Sequence, residues 1–161
     1  PAYAADPLPQ PFFNYPRVLG HELAGEIVEI ETHADYQIGD QVSIIPYFSC
    51  GTCFACSQGK TNCCSTLNVF GVHSDGGMAE FILIPIQALF KSASLDLDAL
   101  ALLEPLSIGA HGIKRAQIKP HEFVLIVGAG PIGLGAAAMA SLAGAQVIMQ
   151  DVNQNRLDFA M

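Results

Sequence analysis

The amino-acid sequence predicts an α/β chain in two parts, a β-rich first part of barrel type and the beginning of a doubly wound parallel sheet. Three observations predict it. Short alternating segments separated by turns fill the first part, as in Ala24-Gly25-Glu26-Ile27-Val28-Glu29-Ile30. Four cysteines spaced Cys50-x2-Cys53-x2-Cys56-x7-Cys64 mark a loop of another kind. Further on, a continuous apolar strand, Phe123 to Val127, runs straight into Gly128-Ala129-Gly130-Pro131-Ile132-Gly133, which opens a helix. Lys119-Pro120 reads as a hinge, and the domains are expected at 1–115 and 116–161.

Within the first part, the turn Ile38-Gly39-Asp40-Gln41 leads into a second strand, Val42 to Pro46. The cysteine loop follows. Asp75-Gly76-Gly77 then turns the chain into an expected strand from Met78 to Ile84, closed by Pro85. From Asp96 the pattern becomes helical, through Leu97, Leu100, Ala101, Leu103 and Glu104, and is expected to stop before Pro105. A second helical stretch spans Leu106 to Arg115. After the glycines, the helix from Pro131 to about Ala143 is apolar on every side and is expected to be buried. A strand from Gln146 to Gln150 ends at Asp151, and a helix begins near Asn155. A complete doubly wound fold has six strands, so these residues read as an internal part of something longer.

Composition narrows the function. Of 161 residues, 51% are apolar and 14% charged, yet no apolar run reaches the length of a membrane span. The proline-rich start from Pro1 to Pro16 has no secretory core segment, and a cytoplasmic protein is expected. A net charge of −8 with only seven scattered Lys and Arg argues against nucleic acid. It does not argue against a dinucleotide, whose phosphates backbone N–H groups can hold.

Thiolates at this spacing can converge as a tetrahedron around a soft divalent metal, and a closed all-sulfur zinc site is structural. An iron–sulfur cluster would place the last cysteine after a three-residue gap and follow it with proline. Here Ser65 follows Cys64. Disulfides would leave one of five cysteines unpaired. Cys63 and Cys64 both remain open as the fourth ligand.

In the glycine segment, Gly128 allows the tight turn, Gly130 lets backbone approach a pyrophosphate, and Gly133 lets helix pack on strand. Pro131 suits the first helical position and Ile132 follows it. Asp151, eighteen residues after Gly133, is placed to accept hydrogen bonds from ribose hydroxyls. Its charge disfavours a 2′-phosphate and no arginine follows immediately, so NAD is the expected cofactor. The opposing reading gives the glycines a turn role only, with Asp151 capping the next helix.

Gly20-His21-Glu22 alone would describe a surface pair or a core histidine. Together, however, Gly20-His21-Glu22-Leu23-Ala24-Gly25, the Cys50–Cys64 loop, Glu104-Pro105-Leu106-Ser107-Ile108-Gly109 and Val127 to Gly133 resemble the zinc-dependent medium-chain alcohol dehydrogenases. Within them the chain is similar to the sorbitol and threonine dehydrogenase branch. Val69-Phe70-Gly71-Val72-His73-Ser74-Asp75-Gly76-Gly77 resembles the sugar-acid and polyol dehydrogenases. The resemblance implies a GroES-like domain followed by the start of a Rossmann domain, with zinc and NAD as cofactors. It implies hydride transfer from a secondary alcohol of a polyol or sugar acid. It also implies that His21 binds a catalytic zinc, that Glu22 binds it or stands behind it, and that Glu104 binds directly or through water. The family's further ligand, a cysteine upstream of Gly-His-Glu, has no counterpart here, since no cysteine precedes Cys50.

A second class of reading is a zinc-holding fragment without activity of its own. His111 reads as a packing histidine, His73 as a solvated turn histidine and Arg17 as a surface residue. Edge strands in the nucleotide part lead us to expect a homo-oligomer.

Overall fold

A computed structural model describes residues 15–161. Contacts divide the chain into two compact units between Ala101 and Leu102. In the first, β1 (Ala24–Glu26), β2 (Gln41–Ile44) and β5 (Leu89–Lys91) form an antiparallel sheet in the order β1-β2-β5. Ala24 faces Ser43, and Val42 faces Lys91. The expected strand through Ile30 ends earlier as a ladder, although Ile27 still exchanges bonds with the turn, through Asp40 O at 3.0 Å and Gly39 N at 2.8 Å. That turn is tied to β5 by Lys91, whose Nζ donates to Asp40 Oδ2 at 2.7 Å and to Asp35 O at 2.8 Å. Lys91 holds the Asp40 carboxyl below its usual range, helped by the Gln37 N–H. Helix α2 (Leu97–Ala101) packs on β1 and β2; its Leu100 is fully buried, and Val42 and Ile44 of β2 are buried too.

A two-stranded ladder, β3 (Tyr47–Phe48) with β4 (Asn68–Val69), closes the base of the cysteine loop. Phe70 stacks edge-on against Phe48, a packing role. Within the loop lie α1 (Phe54–Ser57) and a 3-10 turn (Thr61–Cys63), and neither buries a residue. The expected strand from Met78 to Ile84 does not form. Alternation supplies a face, but a strand also needs a partner for its N–H and C=O groups. Among the described residues, none is recorded for 79–84, and Phe81 and Leu83 are exposed.

The second unit runs α3 (Leu103–Ala116), β6 (Phe123–Val127), α4 (Pro131–Leu142), β7 (Gln146–Gln150) and α5 (Gln154–Ala160). Strands β6 and β7 pair in parallel, Phe123 opposite Gln146. One helix expectation is corrected here. Pro105 is the third residue of α3 rather than a stop before it, because N–H groups of the first turn have no intrahelical acceptor and proline loses nothing by lacking one. By its contacts, helix α3 groups with the second unit. The cause is its packing on α4, where a Cβ on Gly109 would stand 2.6 Å from Ala136 N.

Burial departs from expectation as well. Strand β6 alternates, with Phe123 71% and Val127 74% exposed, and α4 buries only Gly135 and Ala140 while Leu142 lies open. One crossover helix covers one face of a two-stranded sheet, and the other face has no layer among the described residues. Asn153 caps α5, accepting from Asn155 N at 3.0 Å, so Asp151 is not the cap.

The close approach of α3 to α4 makes a paired prediction. Gly109→Ala should destabilise the fold by about 1–3 kcal/mol through overpacking. Gly112→Ala, with open space around its Cβ in the same helix, should stabilise by about 0.5–1 kcal/mol. Urea unfolding of the two variants reads both signs.

Candidate metal centres and dinucleotide turn

The sulfurs of Cys50, Cys53, Cys56 and Cys64 all lie within 4.8 Å of one another. A zinc tetrahedron with Zn–S bonds of about 2.3 Å needs sulfur separations of roughly 3.8 Å, so the donor set and its spacing fit. Cys64 therefore joins the group, and Cys63 lies outside it, exposed on the 3-10 turn. The loop backbone donates to the sulfurs: Cys53 N–H to Cys50 Sγ at 3.4 Å, Cys50 N–H to Cys64 Sγ at 3.3 Å and Thr66 N–H to Cys64 Sγ at 3.4 Å. Such bonds favour the thiolate, the form that binds metal.

The four thiols are not equivalent. Backbone N–H groups of Thr52 and Cys53 bring Cys50 from an ordinary 9.0 down to about 5. Those of Cys56 and Ser65 bring Cys53 to about 7. Burial, with the hydrogen bond its protonated thiol gives to the Cys53 sulfur, pushes Cys56 up to about 11. At neutral pH, therefore, Cys50 is already a thiolate and Cys56 still holds its proton.

His21 and Glu22 follow Gly20, which adopts φ +100° and turns the chain immediately before them. The bend is clasped by the segment 76–78. Gly77 N–H donates to Gly20 O at 3.0 Å, Met78 N–H to Leu19 O at 2.9 Å and Gly76 N–H to Val18 O at 2.8 Å. His21 is half-buried and Glu22 exposed, which leaves a nitrogen and a carboxylate on consecutive residues for a cation. Glu104 lies in the second unit, in the first turn of α3, buried, with Ser107 Oγ donating to its carbonyl at 2.7 Å. A carboxylate there also suits the positive end of the helix. His111 lies exposed on α3, not in the packed position expected of it. His73 Nδ1 accepts from Val69 N–H at 2.9 Å and so helps shape its own turn. Arg17 corrects expectation more sharply: its side chain is only 12% exposed and pairs with Asp75 at 3.8 Å.

The dinucleotide turn has the shape its sequence requires. Gly128 sits at φ +106°. A Cβ on Gly133 would stand 1.8 Å from Gly128 O, so only glycine lets α4 start this close to β6. Around Gly130 there is open space, the room a pyrophosphate needs above the first turn of α4, where Pro131 and Ile132 lie. Asp151 reaches back to this turn. Its Oδ2 accepts from Ala129 N–H at 2.7 Å and its Oδ1 from Asn153 N–H at 2.8 Å. These bonds, that of Asn153 foremost, hold its carboxyl below the usual range. The sequence reading missed Arg156, on α5, which comes within 3.8 Å of Asp151 Oδ2. Asp151 precedes α5 and Arg156 follows it by five residues, so no helical spacing marks the pair in the sequence.

Residues 3–94 match the alcohol dehydrogenase GroES-like domain, and residues 106–160 match the alanine dehydrogenase/PNT C-terminal domain. The chain belongs to the zinc-type alcohol dehydrogenase family. It is 52% identical to L-galactonate-5-dehydrogenase of Escherichia coli over 91% of this chain and 44% of that protein. A zinc-binding dehydrogenase of Sinorhizobium meliloti bound to NADP superposes with a TM-score of 0.85 at 36% identity, covering 92% of this chain and 44% of that one. A short chain alcohol dehydrogenase of Escherichia coli complexed with NADH superposes with a TM-score of 0.83, also at 36% identity, covering 91% and 44%. The chain thus spans less than half the length of these relatives. Its GroES-like part followed by the start of a Rossmann region agrees with the expected fold class.

Zinc uptake by the metal-free chain should release protons at pH 7, with Cys56 among their sources. Cys56→Ser should lower the count by about one proton per zinc in an unbuffered titration. The sign for acid follows from Cys50: stabilisation of its thiolate is complete above pH 9.0 and is lost as pH falls through about 5. Bound zinc should accordingly be released to a colorimetric chelator on acidification below that value, and be retained at neutrality.

Proposed function

We propose that the intact protein oxidises a secondary alcohol of a sugar acid or polyol by passing a hydride to NAD. The observation that carries this reading is the 52% identity to an L-galactonate dehydrogenase, which spans both the Gly-His-Glu bend and the dinucleotide turn. When bound, zinc would acidify a coordinated alcohol and NAD would accept the hydride. His21 and Glu22 hold the metal from the Gly20 bend. Glu104 is assigned as a further ligand by its Glu-Pro-Leu motif. Cys50, Cys53, Cys56 and Cys64 hold a second, structural zinc that does no chemistry. The α4 N-terminus and the backbone of Gly128 to Gly133 receive the diphosphate, and Asp151 receives the adenosine ribose.

Asp151 supports NAD over NADP, because a 2′-phosphate would meet its carboxylate. Arg156 offsets part of that repulsion, but it is well exposed and already faces Asp151. Five free thiols suit a reducing compartment, which supports a cytoplasmic location. Among the described residues no helix is long and apolar enough to cross a membrane.

Steady-state kinetics on the intact protein test the reading with a panel of aldonates and polyols and both cofactors. NAD should be preferred over NADP by at least about tenfold in kcat/KM, ~1.4 kcal/mol. His21→Ala should abolish turnover while one zinc per chain remains. Cys53→Ser should instead lower stability and leave residual turnover. Loss of the same metal from both variants would overturn the division into two centres.

A further inference from the structure

We infer that Asp75 is a positioning residue for His21, acting through the backbone bend at Gly20. The inference rests on the assignment of His21 as a metal ligand and adds what aims it. Every backbone bond recorded between the bend and its clasp comes from the short run that Asp75 begins. Gly76, Gly77 and Met78 hold the carbonyls of Val18, Gly20 and Leu19, respectively. Asp75 completes the set with its side chain, accepting from Val18 N–H at 3.1 Å and lying 3.8 Å from the Arg17 guanidinium. The run has no freedom to slide. A Cβ on Gly71 or Gly76 would stand 2.4 or 2.3 Å from Gly20 O, so the two backbones are already in contact.

Arg17 shows why a carboxylate occupies this position. Its side chain is nearly buried and its Nε has no hydrogen-bond partner among the described residues. A buried guanidinium without a counter-charge is costly, and Asp75 supplies one. Yet Asp75 itself is 68% exposed, so the pair adds little to global stability. Its effect is geometric. The Val18 N–H and the Arg17 guanidinium, three and four residues before His21, meet a single carboxylate and fix where the bend begins. A partner that orients a metal ligand typically governs metal affinity by about 10–100-fold.

The test is zinc content and retention in the intact protein, by elemental analysis and competition with a chelator. Asp75→Ala should keep the cysteine-bound zinc and its melting temperature, while the second zinc is held about 10–100-fold more weakly and kcat/KM falls in step. Asp75→Asn, which keeps an oxygen for Val18 N–H, should restore most of the second site. Two zincs per chain at parental affinity in Asp75→Ala would overturn the inference. So would a variant that fails to fold or loses both metals together, since Asp75 would then be structural. His21→Ala separates the two levels: if it too retains both zincs, the fault lies with the assignment of His21.

Discussion

Around the Gly20 carbonyl the chain closes so tightly that neither Gly71 nor Gly76 could carry a Cβ, and this contact sets the bend that presents His21 and Glu22. The same physical device recurs in the second unit. Gly133 meets Gly128 O where a Cβ would lie at 1.8 Å, and Gly109 meets Ala136 where it would lie at 2.6 Å. Each contact brings backbone dipoles or helix axes closer than side chains permit. At His21 the gain is a rigid turn for the proposed metal ligand. At Gly128 it is a row of N–H groups facing open space, and on α3 it is a helix pair with little gap to fill.

The cysteine loop solves the opposite problem. Its two short helical turns bury nothing, so no apolar core holds them. Four sulfurs gathered within 4.8 Å, two of them held toward the thiolate by backbone N–H groups, make a donor set suited to a cation. A metal would then serve as the core of the loop. On the proposed reading, the ligands of one centre fold around the ion, whereas the ligand of the other is aimed by backbone already in place.

Residues whose chemistry follows from spacing were legible before the structure. The Cys50–Cys64 spacing, the glycines from 128 to 133 and the acid at the end of β7 each imply a local geometry that needs few distant contacts. Only the third dimension separated Cys64 from Cys63, because the 3-10 turn ends at Cys63 and Cys64 is the residue that leaves it. What was not legible depended on partners far along the chain. The segment 78–84 alternates as a strand yet lacks a described ladder partner. Pro105 could end one helix or open another, and packing on α4 decided for the latter. Arg17 looked like a surface cation because its partner, Asp75, lies 58 residues further on. The apolar β6 suggested burial on both faces, but the described chain covers only one.

Zinc-edge X-ray absorption on the intact protein measures most directly whether the clasped bend and the cysteine loop each carry a metal. Two zincs per chain with a mixed shell, sulfur at about 2.3 Å and nitrogen or oxygen at about 2.0–2.1 Å, are the expected result, the lighter shell vanishing in His21→Ala. A single zinc with sulfur neighbours alone would contradict it, leaving the Gly20 bend as a turn without a metal to hold.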